Sequence, residues 1–432
     1  MSYFYQFLSA ANRFLWNGPL LILLLGTHLF FTWRLRGIQL HLPDALRLSC
    51  SGSKKQGFRS LTTALAATLG TGNIVGVSSA IALGGPGAVF WCWLTGIFGM
   101  ATAYAECYLC MLHRKKNEDG SFSGGVMYVL EYTLKKKKMG TLFAFLLLIA
   151  SFGIGCSTQA GTVTETVSSL TCIPPVVTGG ILVFLVGYVI LHGSSAIRKF
   201  CSVLVPSMAM LYFVACIILL YLNRNFIFPA LGFILSSAFT PTAALGGIAG
   251  GSFLFSARYG IARGLFTNEA GLGTAPLAFT EQKESSPEKA ALLSMSAVFW
   301  DTVILCALTG IVIVSALLRY PSLGEHYTAT ALTGAAFSLL PYGEPVLGIS
   351  LIAFAYATLI GWSYFGAQAV LYLFGPSALP TYRICYLGMV FLGSMLSLPL
   401  IWEMTDCINA CMVFPNVWML FSLRHNVAPP KA

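Results

Sequence analysis

Two segments of the sequence place polar residues and glycines in the middle of long apolar stretches. Residues 64–80 contain the run GTGN at 70–73, and residues 246–276 contain the run FTNEAGLG at 266–273. Glycine weakens a helix, and freed backbone amides and carbonyls are tolerated at membrane depth where they line a cavity. Amides at a helix N-terminus favour a carboxylate, and carbonyls at a C-terminus favour a cation. The two segments therefore predict a site that suits a zwitterion together with a cation.

Acidic residues inside apolar windows are the other candidates for chemistry, because burying a carboxylate in hydrocarbon is unfavourable. The windows hold Glu106, Glu165, Glu269 and Asp301. Glu269 lies within the second segment and is the strongest candidate. Asp301 lies deep in its window, where we expect either a functional role or simple pairing, for instance with Arg258 or Arg263. The other two lie near the ends of their windows, where a solvated or lipid-facing carboxylate is the simpler interpretation.

The composition indicates whether the protein surface faces water or lipid. Of 432 residues, 56% are hydrophobic and 9% are charged, with a mean hydropathy of +0.77. A soluble domain is about 25% charged, so this chain cannot cover a water-facing surface. Continuous apolar windows of roughly 20 residues predict an all-α polytopic membrane protein and not an outer-membrane barrel. The 12 cysteines lie mostly within these windows, so we infer neither a disulfide framework nor a zinc site.

We count about 11 membrane-spanning helices. The first runs from about Gly18 to Trp33, has no small-residue cleavage site after it, and is followed directly by Arg34 and Arg36. These features indicate a retained span and not a cleaved signal peptide. The other spans are centred near residues 70, 98, 150, 183, 210, 256, 304, 358, 389 and 412.

The distribution of basic residues predicts the orientation. Under strict alternation, 20 of the 25 Lys and Arg residues lie on one side of the membrane and three lie on the other. The basic side comprises segments 34–59, 113–138, 193–199, 280–290, 375–383 and 424–432. This asymmetry predicts a cell (inner) membrane protein with its N-terminus outside and its C-terminus in the cytoplasm. We interpret the net charge of +10 as topology and attraction to anionic lipid headgroups, not as nucleic-acid binding.

The two interrupted segments lie in the first and sixth of ten spans once the extra N-terminal span is set aside. This arrangement is typical of a 5+5 inverted repeat, in which each half opens with a discontinuous helix beside a site at mid-membrane. We accordingly divide the chain into an extra N-terminal helix with a cytoplasmic loop, a first repeat, an external connection, a second repeat and a cytoplasmic tail, at 1–59, 60–222, 223–242, 243–423 and 424–432. The alternative is close helix packing through small residues four positions apart, at Gly72 and Gly76 and at Gly246 and Gly250.

The same residues resemble the alanine/glycine:cation symporter family, also called the sodium:alanine symporters. Residues 70–93 (GTGNIVGVSSAIALGGPGAVFWCW) are similar to that family's signature, and residues 260–273 and 361–366 add further matches. The similarity covers nearly the whole chain, including the extra first span. It implies a leucine-transporter-like fold of ten core helices plus one, and sodium- or proton-driven uptake of alanine or glycine. The chain departs from the family pattern at Val126, usually proline, and at Ala367, often glutamate.

The resemblance also implies which residues surround the substrate. They are Thr71, Gly72, Asn73, Gln159, Phe266, Thr267, Asn268, Glu269, Thr358 and Trp362. The first three match the unwound part of the first core helix and would hold the substrate carboxylate by backbone amides and a hydroxyl. Gln159 would be a hydrogen-bond partner, and Phe266 would wall the side-chain pocket. Asn268 and Glu269 would offer oxygens to the ammonium group or hold the interruption open, and the last two would face the same cavity from the eighth core helix.

A cation site beside the substrate is the second implication of the resemblance. It would use the backbone carbonyls near Ala66, Leu69 and Phe354 together with the Thr358 hydroxyl. The family usually has a serine before this threonine, and the alanine at position 357 removes one hydroxyl from the expected cation site. The expected ion is sodium, with a proton as the alternative.

Two other classes of function stay open from the sequence. A channel or facilitator without cation coupling is favoured by the missing hydroxyl at Ala357, and uptake that never exceeds equilibrium would support it. A membrane enzyme is disfavoured, because the sequence has no H-E-x-x-H, G-x-S-x-G or aspartate-rich metal motif. We expect a non-enzymatic transporter without a cofactor, whose partners are a small neutral amino acid, the co-transported cation and membrane lipid.

Overall fold

The structure, a computed structural model, describes residues 2–16, 18–50, 55–118, 120, 122–240, 253–281, 286–323, 331–396 and 398–430. Within these ranges the chain is almost entirely helical, apart from a short antiparallel ribbon of β1 (Lys115–Lys116) and β2 (Phe122–Ser123). The all-α class is therefore confirmed. The predicted boundary at residues 242–243 and the Gly246–Gly250 spacing lie outside the described residues.

The helices are numbered in chain order. Those up to residue 240 are α1 Ser2–Trp16, α2 Pro19–Arg34, α3 Leu42–Cys50, α4 Lys55–Thr68, α5 Val75–Gly84, α6 Ala88–Leu112, α7 Val126–Tyr128, α8 Lys137–Phe152, α9 Thr158–Leu170, α10 Pro175–Ile190, α11 Ser194–Leu222 and α12 Ile227–Ser237. The later ones are α13 Phe253–Asn268, α14 Pro287–Val298, α15 Ala307–Arg319, α16 Leu332–Phe337, α17 Gly343–Phe374, α18 Leu379–Gly393 and α19 Leu398–Ser422. Two π-helical turns, Gly153–Ser157 and Phe299–Cys306, join α8 to α9 and α14 to α15.

Several helices are long and apolar enough to cross a membrane. Among the described residues they are Tyr5–Arg34, Ala88–Leu112, Lys137–Leu170, Ser194–Leu222, Pro287–Arg319 and Gly343–Phe374. A further candidate is the pair Gly57–Thr68 and Thr71–Gly84, which is bent by 62°. The count of 11 spans stays a prediction, because α10, α13 and α18 are described over 16, 16 and 15 residues, fewer than the roughly 20 that a span needs.

Helices α6 and α17 enclose the two interrupted regions. Helix α6 packs against α13 and α14 and also contacts α5, and helix α2 of the extra N-terminal span packs on α6 as well. Helix α17 packs against α4, α8, α9 and α11. Because α17 also contacts the turns Thr71–Asn73 and Ala275–Ala278, it lies beside both interruptions.

The outer surface carries many large apolar side chains. Phe184, Phe228 and Leu254, on three different helices, are 73%, 82% and 73% exposed. Soluble monomers rarely expose large contiguous apolar patches, whereas hydrocarbon solvates such side chains without penalty. The surface therefore agrees with a multi-pass membrane protein.

Candidate functional site

The first interruption separates α4 from α5 and is closed by one short 3₁₀ turn, Thr71–Asn73. The Asn73 carboxamide oxygen accepts a hydrogen bond from the Gly70 amide at 3.0 Å, and the Asn73 amide donates to the Gly70 carbonyl at 3.3 Å. A Cβ atom at Gly70 would lie 2.7 Å from the Thr358 hydroxyl of α17. The helix breaks here because Asn73 supplies the bonds that a straight helix would make, and because glycine permits the close approach to α17.

Asp301 contacts the first interruption from the π-helical turn Phe299–Cys306. Asn73 Nδ2 donates to Asp301 Oδ1 at 2.7 Å, and the Thr302 hydroxyl donates to Asp301 Oδ2 at 2.6 Å. The Thr302 hydroxyl also lies 3.3 Å from the hydroxyl of Thr267. These contacts join the first interruption to α13 and to the helix formed by α14 and α15.

Of the two possibilities raised for Asp301, pairing with Arg258 or Arg263 is not found among the described residues. Arg263 instead forms an ion pair with Asp406 at 3.3 Å, and the Arg258 guanidinium lies 5.1 Å from the centre of the Tyr259 ring. Both oxygens of Asp301 accept hydrogen bonds from neutral donors, Asn73 and Thr302. A buried carboxylate with such donors has its hydrogen-bonding capacity used without a cation.

The second interruption follows α13 and runs through several residues with positive φ. They are Glu269 at 55°, Gly271 at 98° and Gly273 at 78°. The Glu269 carboxylate accepts hydrogen bonds from the Thr274 hydroxyl and, at 3.1 Å, from the Trp362 indole nitrogen of α17. Because each of its two oxygens accepts a hydrogen bond from the protein, the geometry favours the role of holding the interruption open, which is one of the two roles expected for Glu269.

Glu106 of α6 is a second support for this interruption, which the sequence interpretation missed. Its Oε1 atom accepts a hydrogen bond from the Gly271 amide at 2.9 Å and from Asn416 Nδ2 at 2.5 Å. Asn416 also donates to the Gly271 carbonyl at 2.8 Å. The expectation of a solvated or lipid-facing carboxylate is wrong, because Glu106 is fully buried. Glu165, by contrast, is exposed as expected.

The residues expected to bind the cation lie together between α4 and α17. The Thr358 hydroxyl lies 3.4 Å from the Leu69 carbonyl and 3.1 Å from the Phe354 carbonyl. A Cβ atom at Gly361, one turn later, would lie 3.0 Å from the Ala66 carbonyl carbon. The arrangement offers neutral oxygens where α4 ends, which is the kind of donor set that coordinates sodium in broken-helix transporters.

Five buried polar atoms near the interruptions have no hydrogen-bond partner among the described residues. The Thr71 hydroxyl and Gln159 Oε1 lie at the first interruption, and Asn268 Nδ2, Glu106 Oε2 and Asn416 Oδ1 lie at the second. Gln159 Oε1 would lie 3.6 Å from a Cβ atom at Gly70, so it faces the first interruption. Its amide nitrogen donates to the Ile154 carbonyl at 3.2 Å, which fixes the side chain. Most buried polar atoms in proteins are hydrogen-bonded, so the Thr71 hydroxyl and Gln159 Oε1 are candidates for contacts with a ligand at the first interruption.

The two expected aromatic wall residues pack against glycines. A Cβ atom at Gly72 would lie 3.0 Å from the Phe266 ring, and one at Gly155 would overlap the Trp362 side chain. Trp362 is fully buried and Phe266 is 6% exposed. The remaining expected residue, Thr267, donates its hydroxyl to the Gly264 carbonyl at 2.8 Å. Both rings therefore pack directly against glycine backbone, where a larger residue would clash with them.

Comparison with known proteins places this geometry in context. Residues 1–429 match the sodium:alanine symporter family. The sodium/alanine symporter AgcS of Methanococcus maripaludis is 41% identical over 428 residues, which cover 96% of this chain and 93% of that protein. The probable sodium/glutamine symporter GlnT of Bacillus subtilis is 33% identical over 425 residues, covering 96% of this chain and 87% of that protein.

Among solved structures, MhsT in complex with L-phenylalanine has a TM-score of 0.59 to this chain at 16% identity, covering 86% of this chain and 88% of that one. At this identity the likeness shows the fold alone, and the fold is leucine-transporter-like. The matching family and these two relatives are symporters, which places the chain among transport proteins and not among enzymes.

Proposed function

The chain belongs to the sodium:alanine symporter family, and we propose that within it the protein imports alanine or glycine together with sodium. Membership of the family makes it a membrane transporter that couples an amino acid to a cation. The choice of ion and substrate rests on the atoms around the first interruption. The observation that carries the proposal is the set of neutral oxygens about Thr358 beside unpartnered polar atoms of Thr71 and Gln159.

Sodium is the ion that this oxygen set favours. The Leu69 and Phe354 carbonyls, the Thr358 hydroxyl and the nearby Ala66 carbonyl carry no formal charge. Carbonyls freed where a membrane helix unwinds are the usual ligands of a co-transported sodium ion. Nearby carboxylates are engaged by protein donors, Glu269 by Thr274 and Trp362.

A small zwitterion is the substrate that the remaining atoms favour. We propose that the Thr71 and Gly72 amides and the Thr71 hydroxyl bind the carboxylate, since a helix N-terminus attracts an anion, while Asn73 shapes the turn through its bonds to Gly70. Gln159 Oε1, an acceptor without a partner among the described residues, binds the ammonium group. Phe266 and Trp362 restrict the substrate side chain to a methyl group or a hydrogen. The name of AgcS as a sodium/alanine symporter supports the same choice.

The orientation and the repeat boundaries are part of the proposal. We place the N-terminus outside and the basic segments, including β1 and β2, in the cytoplasm, because positive loops are retained on that side. We place the inverted repeats at 60–222 and 243–423, so that each opens with one of the two interruptions.

Uptake of labelled alanine into proteoliposomes tests the proposal. We expect accumulation above equilibrium with an inward sodium gradient and none with potassium. Glycine should compete with alanine, and leucine should not. Accumulation driven only by a proton gradient would replace sodium by a proton, and equilibration without accumulation under any gradient would indicate the facilitator favoured by the missing hydroxyl at Ala357. Absence of alanine flux with every ion would refute the substrate assignment.

A further inference from the structure

A large cavity opens on the side of the protein that carries the basic ribbon β1–β2. Its volume is about 1200 Å³, far larger than a small amino acid requires. The residues that line it include Lys115, Lys116, Lys137, Arg198, Glu281 and Gln368. The candidate substrate residues do not line it. We refer to this cavity as the vestibule.

Glu281 joins three parts of the chain where it lines the vestibule. Its carboxylate accepts hydrogen bonds from the Arg198 guanidinium of α11 and, at 2.7 Å, from Gln368 Nε2 of α17. The side chains of Arg198 and Glu281 are 26% and 29% exposed, so the ion pair is largely shielded from water. Hydrogen bonds between charged groups are stronger than neutral ones. Glu281 therefore ties the segment after the second interruption to α11 and α17 together.

Helix α17 and residues 269–281 are joined by three hydrogen bonds that follow one another from the candidate site to the vestibule. Trp362 donates to Glu269 at 3.1 Å, the Tyr364 hydroxyl donates to the Leu277 carbonyl at 3.3 Å, and Gln368 donates to Glu281 at 2.7 Å. The α17 residues rise by roughly 9 Å from the first level to the third. These bonds form a continuous seam between α17 and residues 269–281, and Glu281 is its end at the vestibule.

We propose that Glu281 is a positioning residue that, through its bonds to Arg198 and Gln368, keeps the seam closed between the substrate site and the vestibule. A path from the site to the cytoplasm must part α17 from residues 269–281, and the Glu281 bonds are the ones nearest to water. Release of the substrate then begins with the loss of these bonds. The inference rests on the proposed function for the direction of transport only, since the seam itself does not depend on the substrate.

A cysteine reporter tests whether Glu281 keeps the seam closed. Ala278 is 2% exposed and lies in the turn between Leu277 and Glu281. In proteoliposomes, Ala278→Cys is labelled with a charged, membrane-impermeant methanethiosulfonate. The parent protein, which has only its native cysteines, is treated with the same reagent and gives the background rate. Glu281→Gln should raise the labelling rate roughly five- to tenfold, the factor expected when a hydrogen bond to a charged group is lost. The double variant Arg198→Glu with Glu281→Arg should restore slow labelling.

Glu131 supplies the matched control, because it lines the same vestibule, pairs with Lys137 at 3.9 Å and accepts a bond from Tyr372 of α17 at 2.5 Å. Glu131→Gln should leave the labelling rate within about twofold of the parent. Equal acceleration by both variants would show general loosening and overturn the proposal, as would no acceleration by Glu281→Gln. Acceleration by Glu281→Gln in a protein that transports no alanine would support the seam while refuting the substrate assignment.

Discussion

The two interruptions differ in how their backbones are held. The first spans a single 3₁₀ turn, in which the Gly70 amide bonds to the neutral side chain of Asn73, and Asn73 in turn donates to the buried carboxylate of Asp301. The second runs through three positive-φ residues and is held by two buried carboxylates, Glu106 and Glu269. Among the described residues, unpartnered side-chain atoms lie at both interruptions: the Thr71 hydroxyl and Gln159 Oε1 at the first, and Asn268 Nδ2, Glu106 Oε2 and Asn416 Oδ1 at the second.

This difference indicates that the second interruption serves mainly the stability of the fold and the first mainly ligand binding. At the second interruption the Gly271 amide and carbonyl bond to Glu106 and Asn416, so loss of either partner leaves a buried backbone group unsatisfied. The first interruption lies beside the Thr358 hydroxyl and the unpartnered Thr71 hydroxyl, which we assign to ion and substrate binding. We therefore expect changes at the second interruption to act mainly on stability, and changes at the first to act mainly on substrate and ion binding.

The largest effect should follow a side chain added at the second interruption. Gly271 has φ at 98°, and a Cβ atom there would lie 2.6 Å from Leu24 Cδ2 of α2. Gly271→Ala should lower the free energy of unfolding by about 3 kcal/mol, combining backbone strain with overpacking. Thermal unfolding in detergent measures the loss. Gly26→Ala, on the same helix as Leu24 but with no atom within 4 Å, should not destabilise the protein.

Loss of the Glu106 carboxylate should have the next largest effect. Glu106→Ala leaves the buried Gly271 amide without its acceptor and leaves Asn416 Nδ2 with the Gly271 carbonyl alone, which should cost about 2 kcal/mol of stability. Glu165→Ala, at an exposed position, should change stability by less than about 0.5 kcal/mol. Glu106→Gln retains an acceptor oxygen and should recover most of the loss, and a Gln variant as unstable as the Ala variant would refute the acceptor role.

A smaller effect, on specificity and not on stability, should follow truncation of the ring that contacts the first interruption. Phe266 lies against Gly72, where a Cβ atom would be 3.0 Å from its ring. Phe266→Ala should enlarge the pocket and raise leucine uptake relative to alanine by roughly tenfold, the discrimination that a few methyl groups supply. Competition of leucine against labelled alanine measures the change. Unchanged selectivity would remove Phe266 from the pocket wall.

The sequence predicted the first interruption better than the second. The run GTGN places an asparagine three residues after a glycine. Both partners of the hydrogen bond that closes the turn, Gly70 and Asn73, therefore lie within this short run. The all-α class followed equally directly from composition. The Leu69 carbonyl lies 3.4 Å from the Thr358 hydroxyl, a long-range contact that the resemblance implied and that periodicity cannot predict; that these atoms bind a cation stays a prediction.

The support of the second interruption was not predictable in the same way. Asn416 lies 310 positions from Glu106 in the sequence, and nothing local distinguishes it from any polar residue in a late apolar helix. Glu106 seemed to lie at a helix end because an apolar window does not reveal which helices cover it. The available signals were the carboxylate of Glu106 and the carboxamide of Asn416, each within an apolar window. Such groups need hydrogen-bond partners, but the sequence does not show that they are partners of each other.

The smallest predicted effect tests the first interruption as the cation site. Ala357 is fully buried beside Thr358 and stands where the resemblance expects a hydroxyl. Ala357→Ser adds one neutral oxygen, which should lower the half-saturating sodium concentration about threefold, in line with the modest net worth of one polar contact. Ala355→Ser, also fully buried on α17, is the control and should not change the sodium dependence. A shift in both variants would indicate general loosening of α17, whereas a shift in neither would move the ion away from Thr358 and leave the first interruption as a substrate site alone.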